Sequence, residues 1–297
     1  MPANSLRLRD GRSLAFELFG DKNGAPVFFF HGFPGSRLQA GLVSKQAQNF
    51  GLCLVAFDRP GFGKSSPHPS RTVVGVARDV ADLANELGHE RFGLLGVSCG
   101  GPYAMACAKE LSTRVIHLGL LGGVGPMDIP AIRQGQLIPL RIMFSLARIN
   151  RWLVSPLLAI DRVMFLSNPR KAVDSLSKLL SIPDQIMLKE HPELVDTFAE
   201  GLAEAYRQGI SGPATEARLV ALPHGYSLGD IKIPTDVFQA GQDGHVPQRM
   251  GEFVSQNIPD ASYHLLDEEG HLSIVINAFE RYATRFLAAL RHVEDEV

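Results

Sequence analysis

The sequence predicts an α/β fold with a mostly parallel central sheet flanked by helices. In residues 1–125 and again in residues 226–297, short uninterrupted apolar runs alternate with segments of helical periodicity. Strands buried on both faces give such runs, and parallel strands are joined by crossover helices. Residues 126–225 contain no run of this kind and are punctuated by prolines. We therefore predict one core, residues 1–125 and 226–297, into which residues 126–225 insert a helical cap.

The first elements of the predicted core precede the cap. Apolar and polar residues alternate over residues 6–18, which predicts a half-buried antiparallel hairpin that turns at Asp10-Gly11. Four buried strands are expected at residues 27–30, 52–57, 92–97 and 115–123. Helices are expected between them at residues 36–50, 72–87 and 102–111, and the cap follows the fourth buried strand.

The alternation of strands and helices resumes after the cap. Strands are predicted at residues 235–241 and 261–266. A final helix over residues 272–291 is predicted from an apolar stripe at helical spacing, formed by Val275, Phe279, Tyr282, Phe286 and Leu290. Parallel strands end at one edge of their sheet, so we expect the loops after these strands to form the functional site.

Composition and charge exclude several classes of protein. The 297 residues carry 29 basic and 31 acidic side chains, and a net charge of −2 gives no field that would attract nucleic acid. The three cysteines are scattered, which argues against a disulfide framework and a C-x-x-C metal or redox site. No apolar run is long enough to span a membrane, and the N-terminus lacks the apolar segment of a secretory signal. We expect a cytoplasmic protein with reduced thiols.

A candidate nucleophile follows the third buried strand. Residues 96–100 read Gly-Val-Ser-Cys-Gly, a G-x-S-x-G pattern between a predicted strand and a predicted helix. Small neighbours permit the strained turn that exposes a serine hydroxyl at the edge of a sheet. This context favours Ser98 as a nucleophile over an incidental serine in a glycine-rich turn. The adjacent Cys99 is expected to contribute only its backbone.

A serine nucleophile needs a base and a carboxylate that orients the base. His271 lies in the loop between the last strand and the last helix, and Asp243 follows the preceding strand. Both loops open on the edge that carries Ser98, so we predict a triad of Ser98, Asp243 and His271. His245 is the main competing base, although its position two residues from Asp243 makes it a cramped partner. Asp128, just past the fourth buried strand, is the alternative acid.

The charge that develops on an attacked carbonyl oxygen requires hydrogen-bond donors. Residues 31–36 read His-Gly-Phe-Pro-Gly-Ser and follow the first buried strand, which suits a tight loop that presents backbone N–H groups. We predict the backbone N–H groups of Phe33 and Cys99 as the two oxyanion donors. His31 is expected to brace this loop rather than to act as a catalyst.

Three motifs together resemble those of the α/β-hydrolase superfamily. They are H-G-x-P-G-S at residues 31–36, D-R-P-G-F-G-x-S at residues 58–65 and G-V-S-x-G-G-P-Y-A at residues 96–104. The resemblance spans residues 13–125 and 233–290, and it implies the same triad, the same two amide donors and a helical cap. Epoxide hydrolases and haloalkane dehalogenases carry aspartate where this chain has Ser98, which argues against both activities.

The cap has no motif that identifies a substrate. Residues 131–171 carry seven basic side chains and a single acid, Asp161, among many apolar residues. We favour an amphipathic cap packed on the core over a membrane-facing or acyl-binding lid. Helical spacing over residues 192–208 places Glu200 and Glu204 on one narrow polar face, which we expect to be solvated and not to form a clamp for a substrate ammonium.

These observations predict a serine hydrolase that cleaves a small, largely apolar ester, thioester or lactone through an acyl-enzyme on Ser98. Hydrolysis of a carbon–carbon bond, peptide hydrolysis and non-catalytic ligand binding on the same fold are the alternatives. The triad performs acyl transfer unaided, so we predict no cofactor and no metal. The expected partner is a small-molecule substrate. We expect no nucleic-acid partner and no transmembrane segment, and we keep a homodimer as an open alternative.

Overall fold

The computed structural model describes residues 4–178 and 180–295, and an eight-stranded sheet forms the centre of that part of the chain. The strands are β1 (Asn4–Arg7), β2 (Ser13–Gly20), β3 (Ala25–Phe30), β4 (Leu52–Phe57), β5 (Phe92–Val97), β6 (Val115–Leu121), β7 (Thr235–Ala240) and β8 (Ala261–Leu266). Their spatial order is β1-β2-β4-β3-β5-β6-β7-β8. The predicted hairpin, the four predicted buried strands and the two strands after the cap are therefore all confirmed.

Strands β3 to β8 run parallel, whereas β1 and β2 pair antiparallel at one side of the sheet. Every residue of β4, β5, β6 and β7 is buried, because helices cover both faces there. This confirms the predicted α/β class and its mostly parallel sheet. The carboxyl ends of β3 and β5 to β8 share one edge, and the loops that leave this edge carry the candidate site.

Twelve α-helices accompany the sheet in the described residues. They are α1 (Ser44–Asn49), α2 (Val76–Glu86), α3 (Gly101–Glu110), α4 (Ile138–Ile149), α5 (Ser155–Ser167), α6 (Pro169–Ser177), α7 (Ile182–Glu190), α8 (Pro192–Ala205), α9 (Ser211–Ala221), α10 (Gln248–Asn257), α11 (Ser273–Asn277) and α12 (Phe279–Asp295). Short 3-10 helices occupy Arg37–Val43, Ser98–Gly100, Pro130–Arg133, Arg151–Val154 and Leu228–Asp230.

Two helix boundaries differ from the prediction. Helix α2 begins at Val76 rather than at residue 72, because Thr72 Oγ1 accepts the backbone N–H of Gly75 and closes a separate turn. The predicted final helix is divided into α11 and α12 at Ala278. Four residues of its apolar stripe are still buried and the fifth, Leu290, is half-buried; Tyr282 and Phe286 pack against glycines of β6 and β5.

The segment between β6 and β7 is helical, as predicted, and we call residues 126–225 the cap. Helices α4 to α9 follow one another there, and no strand occurs in the described residues of this segment. The inward sides of α4 and α5 bury Met143, Phe144, Leu158 and Phe165. No helix in the described residues has the length and apolar character needed to cross a membrane.

Candidate active site

Ser98 stands on a strained turn between β5 and α3. Its φ of 51° is the only positive φ among the non-glycine residues described, and its side chain is buried at the end of the strand. A Cβ on Gly100 would collide with the backbone carbonyl of Phe30, and one on Gly96 would lie 2.9 Å from the Cβ of Ala104. Gly96 therefore lets α3 pack closely on β5, and Gly100 lets the turn approach the end of β3.

Ser98, His271 and Asp243 form a continuous chain of hydrogen bonds. The distance from Ser98 Oγ to His271 Nε2 is 3.0 Å, and His271 Nδ1 lies 2.7 Å from Asp243 Oδ2. An ionised carboxylate only accepts, so Nδ1 carries the proton and Nε2 accepts the hydroxyl hydrogen of Ser98. The structure thus brings the three predicted residues together from the loops after β5, β7 and β8.

Asp243 is fixed by its own loop. Its second oxygen, Oδ1, accepts the backbone N–H groups of His245 at 2.7 Å and Val246 at 2.9 Å. The carboxylate is buried and points one oxygen at His271. Asp128, the alternative acid, forms no hydrogen bond with His271 in the described residues; only its backbone carbonyl is used, as an acceptor for Arg148.

His271 and His245 have opposite pKa shifts although their rings are stacked 4.7 Å apart. Burial acts most strongly against the His271 imidazolium, but the charge and hydrogen bond of Asp243 outweigh it and raise the pKa of His271. Burial and the neighbouring His271 lower the pKa of His245 to about 4. His245 therefore stays neutral at pH 7 and packs beside the His271 ring, with its Nδ1 4.0 Å from Asp243.

The loop after β3 lies against Ser98. A Cβ on Gly32 would be 3.4 Å from the Cβ of Ser98, so this loop and the serine are in close contact. Gln39 holds the loop from two sides: its Oε1 accepts the Gly32 N–H at 2.8 Å and its Nε2 donates to the Pro34 carbonyl at 3.3 Å. Phe33, one predicted oxyanion donor, lies between these two anchored residues.

His31 is fully buried beneath the same loop, away from the hydrogen-bonded chain. Its Nδ1 donates to the Gly32 carbonyl at 2.9 Å, and its Nε2 accepts the Arg59 backbone N–H at 3.4 Å. Burial and the charge of Arg59 lower the pKa of His31 far below its usual range. A neutral imidazole satisfies both bonds, which agrees with the predicted bracing role.

Comparisons with known proteins agree with this geometry. The family model described as alpha/beta hydrolase fold matches residues 25–278, which is most of the chain. The chain belongs to the alpha/beta hydrolase family. A thermophilic esterase from Thermogutta terrifontis shares the fold with a TM-score of 0.67 and 23% identity, and the match covers 99% of both chains.

Two curated relatives of this chain have names that state different activities. A proline iminopeptidase from Xanthomonas citri is 32% identical over 125 residues, or 40% of this chain and 38% of the relative. The chain thus spans less than half the length of that relative. A 2-hydroxy-6-oxononadienedioate/2-hydroxy-6-oxononatrienedioate hydrolase from Pseudomonas putida is 29% identical over 74% of this chain and 71% of the relative.

A buried ion-pair network that our sequence reasoning missed supports the loop after β3 of the hydrolase. Arg59 donates to the carbonyls of His31 at 2.6 Å and Gly32 at 3.1 Å. It also donates to Glu216 of α9 at 2.7 Å, and Glu216 accepts the hydroxyl of Tyr103 at 2.9 Å. Arg59 belongs to the motif at residues 58–65, but no sequence signal pairs it with an acid 157 residues away.

Asp184 is a second residue that sequence reasoning missed, and it connects the cap to the loop that carries His271. Its buried carboxylate accepts the backbone N–H groups of His271 at 3.1 Å, Leu272 at 2.8 Å and Ser273 at 2.9 Å. Ser181 donates its hydroxyl to the same carboxylate at 2.9 Å. Residues 181–184 read Ser-Ile-Pro-Asp, a pattern that signals a helix start but not this contact with residues 271–273.

We expect replacement of Asp184 by Ala to destabilise the protein. It would leave three backbone donors without their acceptor, so the free energy of unfolding should fall by roughly 2–4 kcal/mol, whereas Asn, which keeps one acceptor oxygen, should cost less. Urea denaturation measures both. Asp174→Ala, at an exposed position of α6, is the control and should stay within about 0.5 kcal/mol. Wild-type stability of Asp184→Ala would contradict this role.

Asp243, His245 and His271 also offer ligand atoms that all lie within 4.8 Å of one another, a spacing that a metal ion could bridge. Two of these residues, Asp243 and His271, already have defined hydrogen-bond partners. Nδ1 of His271 faces Asp243, and Nε2 of His271 faces Ser98. The 2.7 Å between Nδ1 and the carboxylate is a hydrogen-bond length. The donor set therefore fits proton transfer to and from Ser98 better than metal binding.

The predicted solvation of the acidic face of α8 is correct for Glu200 and wrong for Glu204. Glu204 is buried, and its carboxylate pairs with Arg37 at 2.8 Å and Arg207 at 2.7 Å. Burial opposes its ionisation, but these hydrogen bonds outweigh burial and lower the pKa of Glu204. The difference arises because α8 packs on the 3-10 helix Arg37–Val43, which helical spacing alone could not indicate.

Proposed function

We propose that this alpha/beta hydrolase is a serine hydrolase that cleaves a small, largely apolar ester, thioester or lactone. The observation that carries the proposal is the hydrogen-bonded chain from Ser98 Oγ through His271 to Asp243. The strained turn at Ser98 supports it, because such a turn presents the hydroxyl at the carboxyl edge of the sheet.

In the proposed reaction Ser98 Oγ attacks the substrate carbonyl while His271 Nε2 takes its proton. Asp243 keeps the imidazole in the required tautomer and stabilises the imidazolium. The backbone N–H groups of Phe33 and Cys99 would stabilise the negative oxygen of the tetrahedral intermediate. The C–O bond then breaks, the alcohol leaves with the proton from His271, and water hydrolyses the acyl-enzyme by the same steps.

The surroundings of the site favour an uncharged substrate. Phe144 of α4 lies 6.2 Å from Phe33, ring centroid to ring centroid, so an aromatic pair flanks the proposed oxyanion loop. Met143 and Ala147 are also buried on the inner side of α4. The similarity in fold to an esterase from Thermogutta terrifontis is consistent with this proposal.

Hydrolysis of a carbon–carbon bond is the second candidate function. The relative from Pseudomonas putida, whose named substrate is a dioate, matches 74% of this chain. A substrate with two carboxylates needs basic side chains in its pocket, unlike an apolar ester. A panel of p-nitrophenyl esters, thioesters, lactones and a dicarboxylate diketone distinguishes the two candidates. Hydrolysis of the diketone in preference to every ester would favour the second.

We expect efficient hydrolysis of short or medium p-nitrophenyl esters and no useful rate on aminoacyl-naphthylamides, despite the similarity to a proline iminopeptidase. An aminopeptidase needs free carboxylates for the substrate ammonium, whereas Glu204 is already paired with Arg37 and Arg207. Comparison of kcat/KM on the two substrate classes checks this. Faster turnover of a free-amino substrate that Glu200→Gln or Glu204→Gln abolishes would show that the choice is wrong.

A further inference from the structure

The cap carries an unusual concentration of exposed apolar side chains. In the described residues, all thirteen exposed large apolar side chains lie between Leu137 and Ile186. We define the outer cap surface as nine of them on α4, Arg151–Val154 and α5: Ile138, Ile142, Leu146, Ile149, Trp152, Leu153, Leu157, Ile160 and Val163. Scattered exposed apolar residues are ordinary, but a cluster of this kind marks an interaction surface.

The outer cap surface is a separate face from the one that packs on the core. On α4 the exposed Ile138, Ile142 and Ile149 recur at helical spacing, whereas Met143 and Phe144 are buried on the other side. Ile138 and Ile149 expose 69% and 72% of their surface. The 3-10 helix Arg151–Val154 contacts both α4 and α5, so the three elements are continuous. Packing against the core explains only the inward half of this amphipathic pattern.

The charge around the outer cap surface is positive and uncompensated. Arg133, Arg141, Arg148, Arg151 and Arg162 lie in this part of the cap, and none forms an ion pair within residues 4–178 and 180–295. The single acid of the segment, Asp161, accepts the hydroxyl of Tyr206 instead. Arg133 donates to the backbone carbonyl of Arg141 at 2.9 Å, so these two residues are neighbours. Burial and the charges of Arg141 and Arg148 lower the pKa of Arg133.

We propose that the outer cap surface docks onto an anionic lipid surface. Its aliphatic side chains can enter the boundary between headgroups and acyl chains, while the arginines neutralise lipid phosphates. Trp152, with the guanidinium of Arg151 4.5 Å above its ring, has the mixed character that favours the membrane interface. A second copy of the chain fits less well, because a symmetric contact would bring the same unpaired arginines together.

Docking would place the lipid one helix away from the active site. The inner side of α4 contacts Phe33, and the N–H of Leu137 before α4 donates to the Gly244 carbonyl beside Asp243. Under the proposed function, an ester with a lipid-soluble acyl group would then reach Ser98 directly from the membrane. This consequence rests on the proposed function, whereas the docking itself requires no catalysis.

Co-sedimentation with vesicles tests the docking. The full chain and Ser98→Ala should both bind phosphatidylcholine vesicles that contain roughly one-third phosphatidylglycerol. The bound fraction should fall about tenfold on pure phosphatidylcholine or in about 0.5 M NaCl. Ile142→Ser with Ile149→Ser, and separately Arg141→Glu with Arg148→Glu, should each reduce it about tenfold. Both double variants should hydrolyse soluble p-nitrophenyl acetate at the wild-type rate.

A matched control variant distinguishes vesicle binding by this surface from an effect of the net charge of the protein. Arg78→Glu with Arg281→Glu makes the same change on exposed arginines of α2 and α12 and should leave vesicle binding intact. The proposal is wrong if anionic vesicles do not bind, or if this control loses binding equally. It is also wrong if ultracentrifugation reveals a dimer that Ile142→Ser with Ile149→Ser abolishes. If no ester is hydrolysed, in contrast, vesicle binding should still be observed, because the docking requires no catalysis.

Discussion

Ser98→Ala is expected to fold normally and to lose almost all hydrolytic activity. Without the hydroxyl no acyl-enzyme forms, and only substrate binding and the oxyanion donors act on the transition state. In a serine protease, removal of the nucleophile lowers kcat by on the order of 10⁶, and we expect a loss of several orders of magnitude here. The measurements are kcat on a p-nitrophenyl ester and covalent labelling by a fluorophosphonate, with circular dichroism to check the fold.

Cys99→Ala is the matched control for the nucleophile, one residue away. Burial raises the pKa of Cys99 to about 12, so its thiol is not ionised at neutral pH. The control should therefore keep both turnover and labelling. Near-wild-type turnover in folded Ser98→Ala would remove the proposed mechanism. An unlabelled wild-type protein that binds a small ligand would instead favour a non-catalytic binding protein.

Asp243→Asn should be the second most damaging change, with a loss of about 10⁴ in kcat, as for the equivalent change in a serine protease. The amide removes the charge that stabilises the His271 imidazolium, and its NH₂ group disfavours the tautomer in which Nδ1 donates. Asp128→Asn should be mild, because Asp128 forms no hydrogen bond with His271 in the described residues. Steady-state kinetics on one ester ranks the two variants. The reverse ranking would mean that Asp128, in the loop after β6, is the acid that orients His271.

The pH dependence of kcat/KM is a second measurement that tests the role of Asp243 through the Asp243→Asn variant. His271 must be neutral to accept the Ser98 proton, so activity is lost as pH falls through its pKa. Asp243 raises the pKa of His271, so the wild-type inflection should lie above about 6.5, the usual imidazole value. In Asp243→Asn this charge is absent while burial still lowers the pKa, so the inflection should move to lower pH. An unmoved inflection would mean that Asp243 does not act on His271.

The core and the three residues of the hydrogen-bonded chain could be predicted because their signals are local. The four buried strands before the cap are short apolar runs, Ser98 directly follows one of them, and Asp243 and His271 lie in the loops after the two strands predicted beyond the cap. Parallel strands end at one edge, so topology alone brings these loops together. Asp243 was also preferred over Asp128 from the sequence, but the distances between the side chains, 3.0 Å from Ser98 to His271 and 2.7 Å from His271 to Asp243, needed the structure.

The contacts between the cap and the core could not be predicted, because they join residues that are distant in sequence. Helical spacing identified the polar face of α8 but not that Arg37 would pack against it and bury Glu204. The pattern at residues 181–184 indicated a helix start, while the partners of Asp184 lie 87 to 89 residues further along the chain. The composition of residues 131–171 was visible in the sequence, but which apolar side chains face outward was not.

The carboxylate of Asp184 couples movement of the cap to the position of His271. In enzymes with a mobile lid, these two are often independent. Helix α7 cannot move away from the core without withdrawing the Asp184 acceptor from the N–H groups of residues 271–273, the segment that carries the proposed base His271. A conformer in which α7 has moved away would therefore lack the hydrogen bonds that position residues 271–273 until it closes again. Under the proposed function, substrate entry and product exit that keep His271 in place would therefore use cap helices without such an anchor, and α7 would stay against the core.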